Sequence, residues 1–158
     1  MHRYLFAFLL ILSLLHGSFW PDFSFAYDTS DDNSRVDKNF VRDNKKEVVL
    51  DKKHHKIYYD AKPFAPMSYD DAVKTCGKLD YLGYTKWRLP TKEEMRSLLE
   101  LSRRGVTVKH AFKNIQKGIY WSATKDGNKE AWYFDFGLGR YFVDDRYKKY
   151  RVICVGIQ

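Results

Sequence analysis

The stretch GYTKWRLPTKEEMRSLL, residues 83–99, decides the fold. Trp87, Arg88 and Leu89 read as a short extended segment, and Pro90 disfavours the helical region for the residue before it. Thr91, with Glu94 three positions on, forms a capping box, so a helix starts there. Met95, Leu98 and Leu99 share one face of that helix while Lys92, Glu93, Arg96 and Glu100 turn to water, and the spacing carries it to Arg103, Arg104 and a stop at Gly105. Such a segment pins a helix against a core, and nothing in it requires catalysis.

Upstream, Ser68 with Asp71 marks a second helix start, and Ala72, Val73, Cys76 and Leu79 form its buried face up to a stop at Gly83. Before that, residues 47–51 and 56–59 are β-rich runs separated by residues 52–55, the pattern of an opening hairpin. Pro63 and Pro66 mark an irregular connection. Downstream, residues 106–118 show no period and read as a surface loop pinned by Phe112. Strands follow at 120–124, 131–136, 140–143 and 150–155, with turns at 126–128 and 137–139. Two early helices and a late antiparallel meander define an α+β domain without internal repeats.

The 158 residues allow one domain. Residues 1–26 read as a signal peptide: His2 and Arg3 give a basic start, Leu5 to Leu15 an apolar run, and Ser24, Phe25 and Ala26 a small-x-small cleavage site. The run is about eleven residues, against roughly twenty for a membrane span, so no spanning segment is expected after cleavage. Residues 27–44 are polar and read as a disordered linker, leaving 45–158 as the folded domain. Residues 27–40 hold Asp28, Asp31, Asp32 and Asp37 against Arg35 and Lys38, whereas residues 41–158 hold 25 Lys and Arg against 15 Asp and Glu, a balance of +10. A basic domain behind an acidic leader suits an anionic partner or simple solubility, and export disfavours nucleic acid. Export also favours disulfides, and Cys76 with Cys154 is the one possible pair; two buried thiols are the alternative.

The Trp-Arg-Leu-Pro-Thr run with its Glu and hydrophobic helix, then Tyr120, Trp121, Ser122, Ala123 and Thr124, then Cys154, resembles the Lcl C-terminal domain family over residues 48–155. The resemblance implies a C-type-lectin-like fold with Cys76 on the first helix tied to Cys154 on the last strand, and a kinship to an adhesin. Two departures stand out. His54, His55, Lys56, Ile57 and Tyr58 replace the usual Thr-Gly-Leu-Met-Trp, and Ile153 stands where an Arg commonly precedes the last Cys. The sugar-binding loops of calcium-dependent lectins need Glu-Pro-Asn or Gln-Pro-Asp, and Pro63, Pro66 and Pro90 lack that context.

Among chemistry-bearing groups, His54 and His55 are adjacent and so point to opposite faces of an extended stretch, which argues against one metal ion between them. Asp144 and Asp145 are followed by Arg146, Lys148 and Lys149, a solvated loop rather than a calcium site. Cys76 on an apolar helix face is no nucleophile. Tyr133, Tyr141, Tyr147 and Tyr150 interleave with Arg140, Arg146, Lys148, Lys149 and Arg151, an array able to stack on sugars and pair with sulfate or carboxylate; plain sheet alternation, one face in the core and one in water, explains it more readily. The function expected is an exported, periplasmic or extracellular, non-enzymatic binding protein without cofactor or metal. Its partner is an acidic or sulfated glycan or an envelope protein, met through Arg103, Arg104, Lys109, Arg146, Lys148 and Lys149. A structural or assembly subunit of an envelope complex is the alternative.

Overall fold

The computed structural model describes residues 37–84 and 86–157. The predicted signal peptide and residues 27–36 of the predicted linker lie outside the described residues. Nine elements follow in chain order: β1 (Phe40–Asp43), β2 (Val48–Asp51), β3 (Lys56–Tyr59), α1 (Tyr69–Gly77), α2 (Lys92–Ser97), β4 (Ile119–Asp126), β5 (Glu130–Asp135), β6 (Arg140–Asp145) and β7 (Val155–Ile157). They form an antiparallel four-stranded sheet, β1-β2-β3-β7, and an antiparallel three-stranded sheet, β4-β5-β6. With two helices and a Cys76–Cys154 disulfide, Cα atoms 5.4 Å apart, this is the α+β architecture that the sequence predicts.

Both sheets bury side chains on both faces, because side chains of a strand alternate and each set meets a different core. In the first sheet Phe40, Val49 and Tyr58 enter one core, which contains Met95, Leu98, Val108 and Phe112. Val48 and Ile57 enter a second, with Trp87, Leu89, Ala72 and the disulfide. The second sheet repeats the split: Tyr120 and Phe134 go one way, Trp121 and Ala131 the other. Residues 152–155 do the same one by one, Val152 and Cys154 against Ile153 and Val155. The expectation of one core face and one wet face for the late strands is therefore corrected: Tyr133 and Tyr150 pack against the second core, their rings 5.0 Å apart, and open aromatic area is left at Tyr141 and Phe142 of the outer strand β6, at Tyr147 after it and, in part, at Trp132 of β5.

Four boundaries differ from the sequence reading. The linker does not extend to residue 44: Phe40–Asp43 forms β1, drawn into order by pairing with β2 and by Arg42, which salt-bridges the buried Asp60. Helix α2 ends at Ser97 rather than near Gly105, because the Leu98 carbonyl accepts Lys109 N at 2.8 Å and Glu100 N donates to Thr107 O at 3.0 Å, so the chain leaves for a bridge with Val108. Helix α1 ends at Gly77; Leu82 and Gly83, with φ of 59° and 76°, make the separate turn that closes the Tyr81–Tyr84 bridge. Val73 is 44% exposed, since the buried line of α1 is Tyr69, Ala72 and Cys76. The last strand starts at Val155, while Tyr150 and Arg151 make single bridges to Met67 and Tyr120.

Candidate functional site: an aromatic and cationic margin of the second sheet

The Trp87 to Thr91 motif is built around Glu94. Thr91 Oγ1 accepts from Glu94 N at 3.3 Å, Glu94 Oε2 accepts from Thr91 N at 2.7 Å, and the predicted capping box is present. Arg88 grips the same carboxylate through two nitrogens, at 2.7 and 2.8 Å, and Lys56 pairs with it from β3 of the first sheet. Burial works to raise the Glu94 pKa, but Arg88, Lys56 and the Thr91 N–H outweigh it and hold the group at about 2. A carboxylate fixed in its charged form by two cations joins elements; it does not shuttle protons near neutrality. Beside it the Tyr58 hydroxyl is buried with no partner among the described residues, its pKa raised by burial and by the charges of Glu94 and Asp51. Trp87, Leu89, Tyr120 and Trp121 are core, and the buried Ser122 Oγ donates to Trp132 O at 2.9 Å.

The six predicted cations do not form one patch. Arg103, Arg104 and Lys109 belong to the end of the second sheet where Thr107 N donates to Phe136 O at 2.7 Å and where a Cβ on Gly139, φ 66°, would lie 2.6 Å from Leu101 Cδ2. Arg146, Lys148 and Lys149 follow β6 at its other end, where Arg146 N donates to Lys129 O. The six residues of β6 separate the two ends by roughly 17 Å at a strand rise of about 3.4 Å. Several of these charges are also spent on structure. Arg103 Nη1 donates to Val108 O at 2.8 Å, Lys109 Nζ is 3.0 Å from Asp37 and 3.6 Å from Glu100, and Arg146 pairs with Asp70 and lies 4.7 Å from the Tyr69 ring. Arg104, Lys148 and Lys149 are exposed and make no ion pair among the described residues. His54 Nδ1 lies 2.7 Å from Asp51, and among the described residues no three His, Cys, Asp or Glu side chains cluster as for a metal ion.

A site that sequence reasoning missed lies at the margin of the second sheet. Trp132 of β5 and Tyr141 of β6 sit on one face with ring centroids 5.8 Å apart, and Tyr141 stacks obliquely on Phe134 at 5.2 Å. Lys92, first residue of α2, places its ammonium 3.6 Å from the Trp132 centroid and 5.3 Å from that of Tyr141. The Lys92 backbone N–H donates to Thr124 Oγ1 at 3.0 Å, which fixes the base of the side chain to β4. Trp132 is half-buried and Tyr141 is 38% exposed, and neither the indole N–H nor the phenol has a protein partner among the described residues. One held cation and two free neutral donors thus stand beside open aromatic area. That is equipment for recognition: aromatic faces for the apolar side of a sugar ring and an ammonium for a carboxylate or sulfate. The sequence placed Lys92 in water; the available signal was the Trp132–Phe134 alternation opposite Tyr141.

These features define an α+β domain of two antiparallel sheets stapled by one disulfide, with its open aromatic and cationic surface on the second sheet. The chain belongs to the Lcl C-terminal domain family, whose model matches residues 39–156. The match starts at Asn39, next to β1, in agreement with the corrected boundary. No curated protein matches the chain. Among solved structures it is similar to one described as the crystal structure of botrocetin, at 15% identity and a TM-score of 0.42, with 78% of this chain and 99% of that chain covered. A likeness that loose carries no argument about the site.

Proposed function

We propose that this chain is an exported, non-enzymatic binding protein of C-type-lectin-like fold that recognises acidic or sulfated glycans through Lys92, Trp132 and Tyr141. The observation that carries the reading is the Lys92 ammonium held against two partly open rings at the sheet margin. Supporting it are the +10 balance of residues 41–158 and the exposed Lys148 and Lys149, which raise the local concentration of anions without forming the contact. Export is supported by the disulfide, which persists in oxidising compartments. The test is heparin-column elution beside a glycan array. Retention that falls for Lys92→Gln and Trp132→Leu, with unfolding unchanged, supports the reading. A chain that passes through heparin and an acidic array without retention, yet co-purifies with one envelope protein, overturns it in favour of an assembly subunit.

A further inference from the structure

We propose that the open edge of β6 pairs with β6 of a second copy of this chain, forming a two-fold dimer centred on Phe142. This goes beyond the glycan reading and does not depend on it.

Strand β6 is the outer strand of its sheet, and among the described residues nothing pairs with its far side. Its register with β5 settles which backbone groups are unused. Arg146 N donates to Lys129 O, one step beyond the Glu130–Asp145 pair, so Asp144, Phe142 and Arg140 turn their N–H and C=O towards β5, as Arg146 turns its N–H, while the Arg146 carbonyl accepts Tyr69 N at 3.0 Å. Tyr141 and Val143 therefore turn theirs outward. Asp145 is already spent, its carbonyl accepting Lys148 N at 3.0 Å and its N–H donating to Asp144 Oδ1 at 2.7 Å. The usable edge is two residues long and presents two donors and two acceptors.

Only residues whose backbone groups face out can bond across the edge, so an antiparallel partner must match Tyr141 or Val143 with Tyr141 or Val143 of the other copy. Matching Tyr141 with Val143 puts Phe142 opposite Phe142 and Arg140 opposite Asp144, twice by symmetry. Shifting by two residues to bring Val143 opposite itself would set Arg140 against Arg146. The first register is thus selected by charge as well as by hydrogen bonds. It also brings Phe142, 42% exposed, against its symmetry mate, covering part of an exposed aromatic edge of the kind that soluble proteins otherwise blunt with charge or proline. An antiparallel continuation keeps corresponding faces on the same side, so the two Lys92–Trp132–Tyr141 margins would share one face of a six-stranded sheet.

Sedimentation velocity of the full chain over a dilution series tests this. The parent is expected to sediment as a dimer that dissociates on dilution. Val143→Pro removes an outward N–H without touching the β5 ladder, and Arg140→Glu sets like charges together; each is expected to weaken the dimer about tenfold or more while the thermal transition stays in place. The decisive arm is a mixture. Arg140→Glu and Asp144→Lys each self-repel, but a copy of one paired with a copy of the other regains both opposite-charge contacts, so mixing restores dimer. A parent that is monomeric throughout overturns the proposal. So does a dimer insensitive to these changes, or a mixture that stays monomeric while both variants remain folded.

Discussion

Glu94 shows how one residue can hold a motif together. It is 8% exposed and bound by Arg88, Lys56 and the Thr91 N–H, and its pKa of about 2 lies below the ordinary 4.5. A group whose folded pKa is depressed contributes stability that is full above its unfolded value and is lost as pH falls through the folded one. Glu94→Gln is therefore expected to cost about 2–3 kcal/mol at pH 7, a figure discounted from the full shift because Arg88 is nearly half exposed. The gap between parent and variant should close as pH falls from about 5 towards about 2, measured by urea unfolding across that range. A gap independent of pH would mean that Glu94 acts by packing alone. Asp60 makes a parallel case in a place the sequence did not flag. Buried at 3% exposure, it pairs with Arg42 and accepts Lys113 N at 2.9 Å and Asn114 N at 3.1 Å, anchoring the 106–118 loop to β1. Asp60→Ala leaves the buried Arg42 unpaired and should cost about 3 kcal/mol, with amide exchange rising first at Lys113 and Asn114. Unchanged exchange there would refute the anchoring role.

Between elements, the disulfide links α1 to the segment entering β7 across a sequence separation of 78. In the chain-entropy account, closing a loop of that length contributes about 4.5 kcal/mol. Replacing both cysteines by Ala is expected to lower the unfolding free energy by about that amount while leaving the fold recognisable by far-UV circular dichroism; a loss below about 1 kcal/mol would show that the two cores already restrain this segment. The same scale explains what could be read from the sequence. Helix N-caps, the opening hairpin and the sole cysteine pair are local or combinatorial signals, and Ser68, Thr91, Cys76 and Cys154 stand where those signals put them. The end of α2 was not legible, since it depends on Lys109 capturing the Leu98 carbonyl from a distant loop. Nor was β1, a four-residue strand with only Phe40 and Val41 apolar, whose order comes from β2 and Asp60 as well as from the burial of Phe40.

At the scale of the whole molecule, two cores lie on opposite faces of both sheets, and that arrangement decides which aromatics are free. Sequence alternation alone left every Tyr of the late strands equally eligible, whereas Tyr133 and Tyr150 are packed and Tyr141 and Tyr147 are open. It also separated the basic clusters, because β6 runs between them. Charge still acts at longer range: Lys148→Ala with Lys149→Ala should leave stability within about 0.5 kcal/mol of the parent and lower the salt at which the chain leaves heparin, by less than Lys92→Gln does. An equal or larger drop than for Lys92→Gln would move the contact site to the turn after β6.

Acrylamide quenching of tryptophan fluorescence, read during titration with heparin-derived oligosaccharides, reports on the contact itself. Trp87 is 3% and Trp121 0% exposed, so Trp132 is the tryptophan open to the quencher among the described residues. The sulfated oligosaccharide is expected to shield Trp132 saturably, less so as salt rises or in Lys92→Gln, while a neutral dextran oligomer of equal length gives no shielding. Oligosaccharide bound to the chain with acrylamide quenching unchanged would contradict recognition at Lys92, Trp132 and Tyr141.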